Sequence, residues 1–129
     1  MTAMGEQPMD PTDAVPLPEV RFGPPVRDAG GLHISVGGDI DMTTGDLFTR
    51  TLHDVLVETD VAAVTLDIGQ LHFIDSNGVT ALIRSQWAAR ERGIRLTISN
   101  ACGPVREILE MLDVYETLSG GTPPAPHER

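Results

Sequence analysis

Residues 61–68, Val61-Ala62-Ala63-Val64-Thr65-Leu66-Asp67-Ile68, constrain this chain more than any other stretch. The run is rich in β-branched residues and carries apolar side chains at both parities. That pattern suits a central strand covered on both faces, as in a parallel sheet. A parallel neighbour requires a crossover of a dozen or more residues, usually a helix. The sequence offers such crossovers on both sides of the run.

Before it, residues 42–59 place Leu47, Phe48, Leu52, Val55 and Leu56 on one helical stripe, with Thr43 or Thr44 available to cap the start. After it, residues 77–93 form a second helix with Val79, Leu82, Ile83 and Trp87 as the buried stripe and Arg84, Arg90, Glu91 and Arg92 facing water. Gly93 stands where a C-terminal glycine belongs. Residues 94–98 alternate as a strand. Residues 104–112 form a third helix with Val105, Ile108, Leu109 and Leu112 on one face and Pro104 in the first turn. Residues 115–118 add a short final element.

Upstream, residues 20–22 and 32–36 alternate apolar and polar, with a turn at Asp28-Ala29-Gly30-Gly31 between them and Gly37-Gly38 as a stop. They are close enough to pair as an antiparallel hairpin. The order β, β, α, β, α, β, α predicts an α/β domain: a mostly parallel, mixed sheet with an N-terminal antiparallel hairpin strand and helices packed against it.

The ends carry a different composition. Residues 1–18 hold Pro8, Pro11, Pro16 and Pro18, and residues 120–129 read Gly-Gly-Thr-Pro-Pro-Ala-Pro-His-Glu-Arg. Such segments bury too little apolar surface to offset the entropy of ordering them. The domain is therefore expected over 19–119, between two disordered tails.

Charge and cysteine usage narrow the function classes. With 9 basic against 19 acidic residues the formal net charge is −10, and no lysine is present. Binding to phosphate backbones or an anionic membrane relies on clustered Lys and Arg, so direct nucleic-acid and membrane partners are not expected. The acidity serves solubility, or steers a basic-faced protein partner. Cys102 is the single cysteine and excludes an intrachain disulfide; it reads as a helix-start or core residue. A lone thiol, no basic-then-apolar leader and no 18-residue apolar run fit a cytoplasmic protein.

Enzyme signatures are missing. No glycine-rich nucleotide loop is present, and His33, His53, His72 and His127 are isolated, without metal-ligand spacing. No cofactor or metal is expected. Ser76 sits in no Gly-x-Ser-x-Gly elbow, so a small serine hydrolase is the remote reading and a non-enzyme the preferred one.

Two segments remain, Gly38-Asp39-Ile40-Asp41 before the first helix and Phe73-Ile74-Asp75-Ser76-Asn77-Gly78 before the second. In an open parallel sheet both fall at carboxyl ends of strands, where ligands and partners meet the fold. The second segment has two readings. Asp75, Ser76 or Asn77 caps the helix, at about 1 kcal/mol. Alternatively, Ser76 is a hydroxyl held on the first helical turn. Phosphorylated, it would add about −1.5 to −2 charges. The helix N-terminus tolerates that charge, and a docked partner would not.

At these residues the chain resembles the STAS domain family, and within it the bacterial anti-sigma factor antagonists. Gly38-Asp39-Ile40-Asp41 is similar to the family's Gly-Glu-Leu-Asp turn. Val64-Thr65-Leu66-Asp67-Ile68 with Phe73-Ile74-Asp75-Ser76-Asn77-Gly78-Val79 is similar to its central strand and Asp-Ser-Ser/Thr-Gly-Leu switch. Residues 104–112 are similar to its third helix. The resemblance implies binding to an anti-sigma factor, often a serine protein kinase that holds ATP and magnesium itself, and release of a sigma factor. It implies phosphorylation at Ser76, reversal by a phosphatase, and partner binding through Asp39, Asp41, Asp75, Ser76, Asn77 and Gly78. A STAS module that binds a partner or ligand without phosphorylation, in a larger assembly, is the alternative. The chain departs from the pattern at Asn77, at Asp39 in place of Glu, at Thr80, and at Asp113, where a glycine often follows the third helix.

Overall fold

The computed structural model describes residues 17–120. The expected tails, apart from Leu17, Pro18 and Gly120, lie outside the described residues. Five strands and four helices follow one another as β1 (Val20–Phe22), β2 (Val26–Asp28), β3 (Gly31–Ile40), α1 (Gly45–Glu58), β4 (Ala63–Ile74), α2 (Ser76–Glu91), β5 (Arg95–Ser99), α3 (Gly103–Met111) and α4 (Tyr115–Leu118). The sheet order is β1-β3-β4-β5, with β2 also paired to β3. The β3–β4 and β4–β5 pairs are parallel; β1 and β2 run antiparallel to β3. This is the mixed α/β architecture that the alternation of elements predicts.

Register places like with like. Leu32 pairs with Val64 and Val64 with Leu96; Ile34 pairs with Leu66 and Leu66 with Ile98. These side chains are buried and form one core with Phe48, Leu52, Leu56, Val79, Leu82, Val105 and Leu109 of the helices. The opposite face carries the rows His33–Thr65–Thr97 and Ser35–Asp67–Ser99, which are only partly covered. The expectation that 61–68 is covered on both faces is therefore corrected. From Ala63 the run alternates half-buried with buried positions, and the buried ones share one core with the helices.

Strands β3 and β4 run further than their sequence patterns suggest. Gly37-Gly38 does not stop β3. Gly38 adopts φ +91 and a Cβ there would collide with the Glu19 carbonyl, so the glycine lets the start of β1 approach closely. Strand β4 holds two β-bulges: Asp67 and Gln70 oppose Ser35 and Gly37, and Leu71 and Phe73 oppose Gly38 and Asp39. Each inserts one extra residue and flips the inward parity. Hence Leu66, Ile68, Leu71 and Ile74 all enter the core although their spacing is not two throughout. The period breaks at the bulges, which hides 69–74 from a search for alternation. Strand β2 escapes the same search because its three residues are all exposed.

Three helical stripes are rotated from expectation. Leu47 is 48% exposed, Trp87 40% and Leu112 45%. In α2 the buried face instead takes in Ser85, Gln86 and Ala89. Gln86 Nε2 donates to the Leu96 carbonyl of β5 and the Thr117 carbonyl of α4, at 3.0 Å each, and so fastens α4 beside the strand. Gly93 behaves as predicted: at φ +77 its N–H reaches the Arg90 carbonyl and that of Ile94 the Ala89 carbonyl, the Schellman closure of a helix. Cys102 is the exposed N-cap residue of α3.

Candidate functional site

The site is built where β3 and β4 end side by side. Ile40 pairs with Ile74, which sets the turn beginning at Asp41 beside the one at Asp75. The Asp75 N–H donates to the Ile40 carbonyl at 3.3 Å and ties the two turns together. Thus both segments singled out in the sequence converge at carboxyl ends of parallel strands.

In the first turn, Asp41 faces its own backbone. Its Oδ1 accepts from the N–H groups of Thr43 (2.9 Å) and Thr44 (3.0 Å) and lies 3.2 Å from Thr44 Oγ1. The Thr44 hydroxyl is buried, donates to the Asp39 carbonyl at 2.8 Å and accepts from the Asp41 N–H at 2.9 Å. Neither threonine caps α1 through its hydroxyl. The carboxylate next to them satisfies the free N–H groups, which moves the helix start from the expected residue 42 to Gly45. Asp39 is half-buried on β3 opposite Phe73.

In the second turn, Asp75 is the N-cap of α2. Its Oδ1 accepts from the Gly78 N–H at 2.9 Å. Ser76 and Asn77 are the first two helical residues, and both are exposed. Gly78 is buried. A Cβ on it would collide with the Ile40 carbonyl oxygen and lie 2.6 Å from Ile74 Cγ1. Only a glycine admits the first turn of α2 so close to the end of β3. The Ser76 carbonyl accepts from Thr80 Oγ1 at 2.9 Å, one turn along. The three polar residues in a row therefore divide the work. Asp75 caps, and Ser76 and Asn77 are left facing outward.

Asp41 and Asn77 meet again in a groove of about 250 Å³ between the starts of α1 and α2, whose walls include Met42, Asp46, Thr80 and Arg84. Sequence reasoning missed Met42, which is 77% exposed beside this groove, and Phe73, 46% exposed on the strand end next to it. The available signal was a large apolar residue adjoining each polar turn, Met42 after Asp41 and Phe73 ahead of Ile74-Asp75. Among the described residues no cluster of three His, Cys, Asp or Glu side chains is placed to hold a metal ion, and no helix is long and apolar enough to cross a membrane.

Comparison with known proteins agrees with this geometry. The family model of the STAS domain matches residues 23–127. The chain belongs to the STAS domain family. Among solved structures it is similar to an anti-sigma factor antagonist from Mycobacterium paratuberculosis, with a TM-score of 0.63 and 20% identity over 81% of this chain and 86% of that one. It is similar also to the anti-sigma factor antagonist SpoIIAA in its unphosphorylated form, with a TM-score of 0.62 and 14% identity over 81% and 88%. The murine anion transporter Slc26a9 contains a similar portion, with a TM-score of 0.58 and 18% identity over 69% of this chain and 15% of the transporter. At these identities the likeness is one of fold. No curated protein sequence matches the chain.

Proposed function

We propose that this STAS domain is a cytoplasmic anti-sigma factor antagonist. It binds an anti-sigma factor through Asp39, Asp41 and the turn Asp75-Ser76-Asn77-Gly78, and thereby frees a sigma factor. The partner is a serine protein kinase that carries ATP and magnesium. Phosphorylation of Ser76 switches binding off, and a phosphatase restores it. One observation carries this reading. Ser76 is an exposed hydroxyl on the first turn of α2, held there by the Asp75 cap and by the contact of Gly78 with Ile40. A phosphate at that point would sit at the positive end of a sixteen-residue helix and leave the domain intact. Inside a docked interface, the same charge without a counter-ion costs several kcal/mol. Asp41 belongs to the same surface: its Oδ1 holds the α1 turn, and the half-buried residue lines the groove beside Asn77.

A hydrolase would need a base beside Ser76. Among the described residues no histidine is hydrogen-bonded to Ser76, and none lines the adjacent groove. The fold likeness to part of an anion transporter favours a second reading, a STAS module that docks within a larger assembly without phosphate transfer.

Incubation with the copurifying kinase, ATP and magnesium, followed by mass spectrometry, separates the two. Phosphate on Ser76, lost in Ser76→Ala with binding retained, is the expected result. Ser76→Asp should weaken binding at least ~10-fold, or about 1.4 kcal/mol. An unchanged affinity for Ser76→Asp overturns the charge-exclusion mechanism.

A further inference from the structure

We infer that Asn77 is a latent deamidation site whose rate is held down by the Asp75 cap. The chain has two asparagines, and only Asn77 precedes a glycine; Asn100 precedes Ala101. Glycine leaves its backbone nitrogen unhindered, which makes Asn-Gly the most reactive setting for ring closure. The steps balance without a cofactor. Hydroxide takes the Gly78 amide proton, and the nitrogen bonds to Asn77 Cγ. The bond from Cγ to Nδ2 breaks, the leaving nitrogen takes a proton from the water just formed, and ammonia departs, giving a succinimide and regenerating hydroxide. Water then opens the ring at either carbonyl to give aspartate or isoaspartate. Nothing is oxidised or reduced.

The structure blocks the first step in two ways. The Gly78 N–H is engaged at 2.9 Å by Asp75 Oδ1, and a carboxylate acceptor holds that proton in place. Ring closure also requires Asn77 to leave helical ψ, whereas the first turn is clamped because Gly78 packs against the Ile40 carbonyl and Ile74. The Asn77 side chain itself is exposed on the groove wall, with no hydrogen-bond partner among the described residues. Reactivity is therefore controlled by opening of the first turn, not by access of water. The product would carry a permanent carboxylate one residue after Ser76, beside the same groove. Its consequence for partner binding rests on the proposed function. The chemistry does not, so the two fail separately.

The test is peptide mapping of the full-length protein at mildly alkaline pH, reading the 1 Da gain and isoaspartate at residue 77 against Asn100 as internal reference. Folded wild type should react far more slowly at Asn77 than the urea-denatured protein. Asp75→Ala should react about fivefold faster than wild type, which is the ~1 kcal/mol of an N-cap converted at 1.4 kcal/mol per tenfold. Asp75→Asn keeps the acceptor and should stay slow. Equal rates in wild type and Asp75→Ala, or in folded and denatured wild type, overturn the inference. If Asp75→Ala fails to fold, wild type in sub-denaturing urea decides. Deamidation and exchange of the Gly78 amide proton should rise together, and deamidation that stays flat while the amide opens overturns it.

Discussion

Gly78→Ala tests the site through its packing. In an exposed helix this change would stabilise by about 0.5–1 kcal/mol, because glycine loses more backbone entropy on folding. Here the added methyl would meet the Ile40 carbonyl, with Ile74 Cγ1 at 2.6 Å. Neither neighbour is the loose end of a flexible side group: one is strand backbone, the other a fully buried isoleucine. Overpacking of this kind costs about 1–3 kcal/mol. Backing α2 away from β3 also lengthens the Asp75 N–H to Ile40 bond, already 3.3 Å, and forfeits about 0.5–1.5 kcal/mol. The net expectation is a loss of about 2 kcal/mol, which lowers Tm by roughly 8–16 °C for a domain of this size. Thermal melts by circular dichroism, checked by urea titration, read it. Gly45→Ala is the matched control in the first turn of α1, where a Cβ meets nothing within 4 Å, and should leave Tm equal or higher. A Gly78→Ala protein as stable as wild type would refute the close-approach argument and remove the structural reason for a glycine after Asn77.

Three further expectations concern the stability of the domain. Asp113→Gly should stabilise by about 0.5–1 kcal/mol in urea, since Asp113 sits at φ +63, with the two closing hydrogen bonds of a helix terminus, where glycine carries no Cβ penalty. Gln86→Ala should cost about 2–3 kcal/mol in the same assay, because it strands two carbonyl acceptors on the buried side of α2, and hydrogen exchange should show α4 opening first. Asp41→Ala should cost about 1–2 kcal/mol while Asp41→Asn, which keeps the acceptor for Thr43 and Thr44, should cost less than half of that.

The departures from the family pattern acquire physical meaning in this setting. Asp113 occupies the left-handed position that a glycine would fill, so the aspartate there carries a stability cost. Asn77 is exposed and takes no part in the cap, so the helix start survives the loss of a hydroxyl there. Thr80 is exposed and spends its hydroxyl on the Ser76 carbonyl, stiffening the turn behind the serine.

Strong periodicity was legible and weak periodicity was not. The cores of β3, β5 and α1 to α3 follow from alternation or from i, i+3, i+4 spacing, because those periods are set by backbone geometry alone, and that of β4 follows from its run of β-branched residues. Leu47, Trp87 and Leu112 match the helical spacing yet stay partly exposed. Spacing tells which residues share a stripe, but the neighbouring element decides where the buried arc is centred. Gln86 carries no local signal for the same reason; only contact with β5 and α4 gives its amide two carbonyls.

The sequence by itself determined the order of elements apart from β2, the sheet's mixed sense and the candidate turn around Ser76, since short-range chemistry specifies each. It left open whether Asp75, Ser76 or Asn77 is the cap. The tertiary structure decided this. Two bulges in β4 bring Ile74 level with Ile40, and that register presses Gly78 onto β3. With the first turn so fixed, Asp75 reaches the Gly78 N–H and Ser76 and Asn77 face out. A hydrogen bond between strand ends thirty-five residues apart is invisible to any local pattern, and it is what exposes the serine.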